Sequence, residues 1–187
     1  NLTFPLSEYK KFNQTSGTQG KPMVWLDTMN DWRWMLGNWD RVLEEAEVSP
    51  GDRCFFAFSF GPFLGFWTAY EAATQKGCIC MPSGGQSTEQ RLLGMIQHKA
   101  QHLFCTPTYA MRLSNLAQES GTDLTTHALK SIILAGETGG SIGSVREQIS
   151  TVWGDGIKIF DHYGMTEVGP VAYETPGGQG GLRIILD

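Results

Sequence analysis

Three groups of residues have the types and spacing to do chemistry. The first is Thr15-Ser16-Gly17-Thr18-Gln19-Gly20-Lys21-Pro22. Small hydroxylated residues and glycines let a backbone turn its N–H groups into one concavity, and such a nest binds anions, typically phosphate. Lys21 adds a positive charge at the rim. A Walker A loop needs four residues between its glycines and a Ser or Thr after its lysine. Here only Thr18 and Gln19 separate Gly17 from Gly20, and Pro22 follows Lys21, so this is a phosphate loop of another kind. The second group is Asp161-His162-Tyr163-Gly164-Met165-Thr166-Glu167. An aromatic can stack on a purine, a hydroxyl can bond a phosphate oxygen, and a carboxylate can hold Mg²⁺. The plainer alternative is a strand-to-turn corner in which Glu167 caps a backbone N–H. The third is Gly136-Glu137-Thr138-Gly139-Gly140, a glycine-rich loop.

The elements that must position these groups alternate along the chain. A strand is predicted at 23–26 and a helix from about residue 30, whose apolar positions Trp32, Met35, Leu36, Trp39, Val42, Leu43 and Ala46 keep the spacing of one helical face. The all-apolar run at 54–58 reads as a strand buried on both faces. A helix is expected over 63–76 and a strand at 78–81. Ser87-Thr88-Glu89-Gln90 resembles a capping box, and Thr106-Pro107 suits a helix start. Further strands are expected at 102–105, 131–135 and 157–160, a helix at 144–153, and two strands at 171–174 and 182–186. Alternation at this spacing predicts an α/β fold, a mostly parallel sheet with helices on both faces in three layers. In such sheets the ligand crevice lies beyond the carboxyl ends of the strands. The loops at 58–62, 82–85, 135–140 and 161–167 each follow a predicted strand and so fall there.

Composition narrows the classes. With 187 residues the chain can bury a proper core as one domain. The net charge of −5 and a charged fraction of 18% argue against a nucleic-acid partner. No apolar run reaches the length of a membrane span. Cys54, Cys78, Cys80 and Cys105 sit in apolar runs, as reduced core thiols of a cytoplasmic protein would, and no Cys or His pair completes a zinc set around Cys78 and Cys80. His98 and His102 have the spacing of two ligands on a helix, but the glutamate of a zinc protease is absent, and a core or solvated role is expected.

The motifs together resemble one family. Residues 15–22 look like the phosphate signature of adenylate-forming enzymes, and Tyr163-Gly164-Met165-Thr166-Glu167 matches their Tyr-Gly-x-Thr-Glu motif. Between them stand Pro82-Ser83-Gly84-Gly85, Cys105-Thr106-Pro107-Thr108-Tyr109-Ala110 and Ala135-Gly136-Glu137, in an order most like the phenylacetate–CoA ligase branch. That branch more often has Pro where this chain has Thr138. The resemblance implies a fragment, residues 1–187, of the large N-terminal AMP-binding domain, with the C-terminal lid domain and its adenylation lysine outside these residues. It implies ATP, Mg²⁺ and coenzyme A, with a small carboxylic acid as the other partner, and leaves a homodimer open. Thr15, Ser16, Gly17, Thr18, Gly20 and Lys21 would bind ATP phosphates; Gly136, Glu137, Thr138, Asp161, His162, Tyr163 and Gly164 would surround adenine. Thr166 and Glu167 would be catalytic, Thr166 at the α-phosphate and Glu167 on Mg²⁺. Adenylation with another acceptor, or a non-catalytic nucleotide-binding domain, are the alternatives.

The aromatic run Phe58, Phe60, Phe63, Phe66 and Trp67 lies beside the expected crevice, and no Lys or Arg occurs between Cys54 and Gln75. This predicts an apolar, aryl acid. The resemblance implies that part of this segment faces the acyl pocket, with Phe60, Phe63, Phe66 and Met165 as its lining.

Overall fold

The computed structural model describes residues 2–15, 17, 20–176 and 181–186. Seven strands form the central sheet: β3 (Arg53–Phe56), β4 (Ile79–Pro82), β5 (His102–Cys105), β6 (Ser131–Leu134), β7 (Lys158–Met165), β8 (Gly169–Glu174) and β9 (Leu182–Ile184), in the order β4-β3-β5-β6-β7-β8-β9. The pairings from β4 through β7 are parallel, while β8 and β9 are antiparallel additions. β1 (Tyr9–Gln14) and β2 (Val24–Thr28) make a separate antiparallel hairpin.

Helices cover both faces, so the expected three-layer α/β architecture is observed. α1 (Met29–Glu45) and α2 (Trp67–Gln75) pack on one face, where Trp39, Met35 and Leu43 meet Phe56, Phe104, Ile133 and Phe160. α3 (Thr88–Gln97), α4 (Pro107–Glu119) and α5 (Gly143–Trp153) cover the other, where Leu92, Leu113, Ile149 and Trp153 meet Phe55, Leu103 and Ile132. Neighbouring positions of a strand therefore feed opposite cores, which explains the all-apolar runs. Each fully buried large side chain contributes roughly 1.5–3 kcal/mol.

The helix starts obey local chemistry. Ser87 accepts from the Gln90 N–H while the Gln90 side chain accepts from the Ser87 N–H, the capping box expected from sequence. Thr106 caps α4, with Pro107 in its first turn. Thr28 and Asp31 form a second capping box, at α1.

Three expectations need correction. α2 begins at Trp67 rather than near residue 63, because Gly65 takes a left-handed φ of 35° that interrupts a helix. β1 has no counterpart among the expected strands: in its Tyr-Lys-Lys-Phe-Asn-Gln sequence only Asn13 is buried, and the rest are half-buried or exposed. β7 does not stop at residue 160. It runs on to Met165 and carries the first five residues of the Asp161–Glu167 motif as strand, not loop.

Candidate active site

β7 is the element that makes the site. Its parallel pairing with β6 ends at Leu134 opposite Asp161. Beyond that point only β8 supports it, antiparallel, with His162 opposite Tyr173 and Met165 opposite Gly169, and a bulge between Tyr163 and Gly164. The strand thus overshoots the end of the parallel sheet and leads to Thr166 and Glu167, each of which lines a cleft. Two glycines permit the tight hairpin. A Cβ on Gly164 would lie 2.7 Å from the Gly169 carbonyl oxygen, and one on Gly169, at φ 67°, would lie 2.9 Å from the Met35 side chain.

Bulging strands re-aim side chains. Tyr163 is half exposed at 51%, whereas its neighbour His162 is buried at 8% and turned to the opposite side, its ring stacked 4.4 Å from Trp39. Asp161 accepts a hydrogen bond from Ser141 Oγ and, at 2.9 Å, one from the His162 N–H. The 135–140 loop follows β6 beside it. Gly140 there has no room for a side chain, since a Cβ would fall 2.3 Å from Asp161 Oδ1. Gly136 and Gly139 both have positive φ, at 91° and 149°. Glu137 is exposed, but its carboxylate accepts from the Thr108 N–H at 2.7 Å. Burial pushes that carboxyl up, yet the hydrogen bonds from Thr108 and Thr106 outweigh it and hold it below its ordinary value. Thr138 is exposed in the same loop.

A brace that no motif announces holds these pieces together. Arg146 on α5 donates to the Gly140 carbonyl at 2.6 Å, to the Ile159 carbonyl at 3.1 Å and to Glu174 on β8. Glu174 in turn accepts from the Asp161 N–H at 3.0 Å. One guanidinium so joins the glycine-rich loop, β7 and β8. A lone Arg in a helix and a lone Glu in a strand carry no sequence signal; only the fold brings them together.

Two clefts flank the overshooting strand. One, of about 200 Å³, is lined by Trp39, Leu64–Phe66, Thr68, Ala135, Gly136, His162, Gly164–Thr166, Gly169 and Pro170. Of the residues expected at an acyl pocket, Phe66 and Met165 line it, while Phe63 is exposed at 44% and Phe60 packs against Phe58, Trp67 and Tyr70. The aromatic run mostly packs on itself: Phe58 stacks on Phe66 at 4.4 Å and sits edge-on to Phe56. The second cleft, of about 420 Å³, brings Glu167 and Val168 beside Trp25, Leu26 and Asp27 of β2.

The β1–β2 hairpin therefore stands next to Glu167, and its tip is the expected phosphate loop. Thr15 donates its N–H to the Met23 carbonyl and accepts the Met23 N–H on Oγ1, both at 2.9 Å. Gly17 has φ 67°, and a Cβ there would lie 2.8 Å from the Gly20 carbonyl oxygen. Gly20 and Lys21 are exposed. Ser16 and Thr18 lie outside the described residues.

Comparison with known proteins decides the family. The model of the AMP-binding enzyme family matches residues 12–182.

This chain belongs to the AMP-binding enzyme family.

Within it, the chain is 28% identical over 164 residues to the phenylacetate-coenzyme A ligase of Thermus thermophilus, covering 88% of this chain and 36% of that protein. The Escherichia coli phenylacetate-coenzyme A ligase is also 28% identical, over 169 residues, with 88% and 37% covered. The chain spans little more than a third of the length of these relatives. Among solved structures, 2-hydroxyisobutyryl-CoA ligase in complex with 2-HIB-AMP and CoA, in the thioesterification state, matches with a TM-score of 0.86 and 26% identity, over 96% of this chain and 38% of that one. Its open conformation matches equally well, at 0.86 and 24% identity, over 96% and 42%. These likenesses give this AMP-binding chain the N-terminal-domain fold of acid–CoA ligases. Among the described residues no helix is long and apolar enough to cross a membrane.

Proposed function

We propose that the chain, residues 1–187, is part of the large AMP-binding domain of an AMP-forming acid–CoA ligase whose lid domain lies on the remainder of the enzyme. One observation carries the reading: the Gly164–Glu167 stretch runs from a small, mostly apolar cleft to the flank of β2, in the hairpin that bears the hydroxyl- and glycine-rich loop. A nucleotide with its phosphates on the hairpin side and an acid in the cleft would meet at Thr166. In this reading Tyr163 stacks on adenine, with Asp161 and the 136–138 stretch at its edge, and residues 15–21 take the phosphates. Thr166 contacts the α-phosphate, where its hydroxyl can stabilise charge as the carboxylate adds.

Glu167 fits a Mg²⁺ ligand. No salt bridge engages it among the described residues, and no cluster of three or more acidic, Cys or His side chains gathers there. Mg²⁺ typically takes one or two carboxylates and completes its shell with phosphate oxygens and waters. Bound there, the metal would neutralise phosphate charge.

The reaction has two steps. A carboxylate oxygen of the acid bonds to the α-phosphorus of ATP and pyrophosphate leaves. The sulfur of coenzyme A then bonds to the acyl carbon, AMP leaves, and the thiol proton is released. The chain's part in the first step is positioning. The cleft, at about 200 Å³, suits a small acid. Phe66, Trp39, Leu64 and Pro170 on its walls suit an aryl acid of phenylacetate type. All four cysteines are free, in keeping with a cytoplasmic enzyme. The test is ATP–pyrophosphate exchange by the full-length enzyme, followed by thioester formation with coenzyme A. Exchange that depends on an aryl acid supports the reading; exchange with no acid in a broad panel overturns it.

A further inference from the structure

Among the described residues the β1–β2 hairpin forms its own sheet, apart from the seven-stranded one, yet it bears the hydroxyl- and glycine-rich loop at residues 15–21. A two-stranded hairpin is at best marginally stable alone in water, so its orientation depends on what it is fastened to. β1 is fastened to the body by a side chain and by backbone. Lys11 Nζ donates to Glu71 Oε1 on α2 at 2.7 Å. The Gln14 N–H, one residue before the loop, donates to the Pro62 carbonyl at 2.7 Å.

Glu71 is itself held for this contact. Its second carboxylate oxygen accepts from Trp32 Nε1 at 2.6 Å, and Trp32 is buried on α1. A buried indole N–H needs a partner, and Glu71 supplies it. The Lys11 ammonium lies 4.1 Å from the centre of the Trp32 ring, within reach of a cation–π attraction. One carboxylate so ties β1 to α1 and α2. The body side of this tie borders the small cleft. α2 follows directly on Phe66, which lines that cleft, and Trp67 at its start donates to the Gly61 carbonyl at 3.0 Å, beside Pro62. The Lys11–Glu71 pair does little for stability, because the two side chains are 27% and 32% exposed and water screens them. Placement is another matter. A misplacement of about 1 Å far from the chemistry can cost roughly a hundred-fold. Lys11 stands four residues before Thr15 in the same hairpin arm, so a tilt of β1 reaches the loop.

We propose that Glu71 is a positioning residue that, through Lys11, aims the loop at residues 15–21 toward the nucleotide. This rests on the ligase reading above, in which that loop takes the ATP phosphates.

The test is Glu71→Gln in the full-length enzyme. The amide carbonyl can still accept from Trp32, so the core donor stays paired, while the charge facing Lys11 is gone. The loop holds the phosphates before and during the reaction, so its mis-aiming should appear in KM rather than kcat. In pyrophosphate exchange, KM for ATP should rise roughly ten-fold, with kcat and the KM for the acid within about two-fold of wild type. Lys11→Met should raise KM for ATP to a similar extent, and the double variant should be no worse than either single one, since both remove the same interaction. An unchanged KM for ATP, equal rises in KM for ATP and acid, or additive effects of the two substitutions would overturn the proposal. Amide hydrogen exchange gives a readout that needs no catalysis. The amides of β1 and β2 should exchange faster in Glu71→Gln, while those of β5 and β6 keep their rates. Unchanged hairpin rates, or an acceleration shared by β5 and β6, would overturn the anchoring. A wild-type enzyme without acid-dependent pyrophosphate exchange would overturn the ligase reading, and the hairpin amides would still decide the Glu71 anchor.

Discussion

His102 and His162 are both buried, at 0% and 8% exposure, at opposite ends of the same sheet. At the amino end, His102 on β5 is fully paired: Nε2 donates to Asp52 at 3.0 Å, and Nδ1 accepts the Ser131 hydroxyl at 2.7 Å. The carboxylate can only accept, which fixes that tautomer. Asp52 also accepts from Lys130 at 3.2 Å, Gln101 at 2.8 Å and the Ser49 N–H at 3.0 Å. At the carboxyl end, His162 has no partner among the described residues. At the amino end the polar groups pair with one another and serve the fold. The carboxyl end holds unused hydrogen-bonding capacity, where a doubly wound sheet places its ligands. Changes at the two ends should therefore separate cleanly into stability and turnover.

The largest separation is expected for Glu167→Gln. The substitution keeps size and removes the charge proposed to hold Mg²⁺, so pyrophosphate exchange should fall by about a hundred-fold or more, in the range of lost electrostatic stabilisation. The melting temperature should move by only about 1–2 °C. A variant with unchanged rate and Mg²⁺ dependence would remove Glu167 from the site.

Asp52→Ala should do the reverse. It strands the His102 imidazole and frees Lys130, so chemical denaturation should show a loss of about 2–4 kcal/mol. The kcat of the folded fraction should be unchanged. A fall in kcat at full stability would mean that the amino end is not merely structural.

The two histidines also predict acid sensitivity. Burial lowers both: His162 to about 3, and His102 against the partial compensation of Asp52. Between the ordinary value of 6.5 and the folded value, the unfolded chain binds more protons, so stability falls as the pH drops through that window. For His162 the slope should reach at most about 1.4 kcal/mol per pH unit. Asp52 acts lower. Burial raises its carboxyl, but its hydrogen bonds prevail and leave it below 3.8, so its contribution is lost only under that pH. His162→Phe should flatten the profile between pH 6.5 and 4 relative to wild type. Parallel profiles would mean that His162 is not held neutral.

The smallest effect is expected from Arg146→Leu. The brace to Gly140, Ile159 and Glu174 is partly exposed, so the loss should be about 1–2 kcal/mol, with a rise in KM for ATP larger than the fall in kcat. A fall in kcat alone would place Arg146 nearer the chemistry.

Much of this layout is legible in the sequence, and the reasons are local. The capping box at Ser87, the Thr106-Pro107 helix start and the apolar runs of β3, β5 and β6 are short-range signals that later packing does not overrule. The adenylate-forming motifs can be recognised because small and charged residues stand at fixed spacing. What the sequence does not announce is set by distant partners. β7 extends past residue 160 because β8 folds back beside it, a pairing no local pattern signals. The aromatic run at 58–67 reads as a pocket wall, yet the rings satisfy one another and only Phe66 among them lines the small cleft. His162 reads as a variable motif position, and its orphaned state exists only once Trp39 has committed its N–H to Thr68.

The most direct test of the division between the two ends is a crystal structure of the full-length enzyme with an unreactive acyl-adenylate carrying a phenylacetyl group. The expected result is adenine against Tyr163 and the 136–138 stretch, with the acyl ring among Trp39, Phe66 and Pro170. An acyl group in the cleft beside Glu167, Trp25 and Trp34 would contradict it.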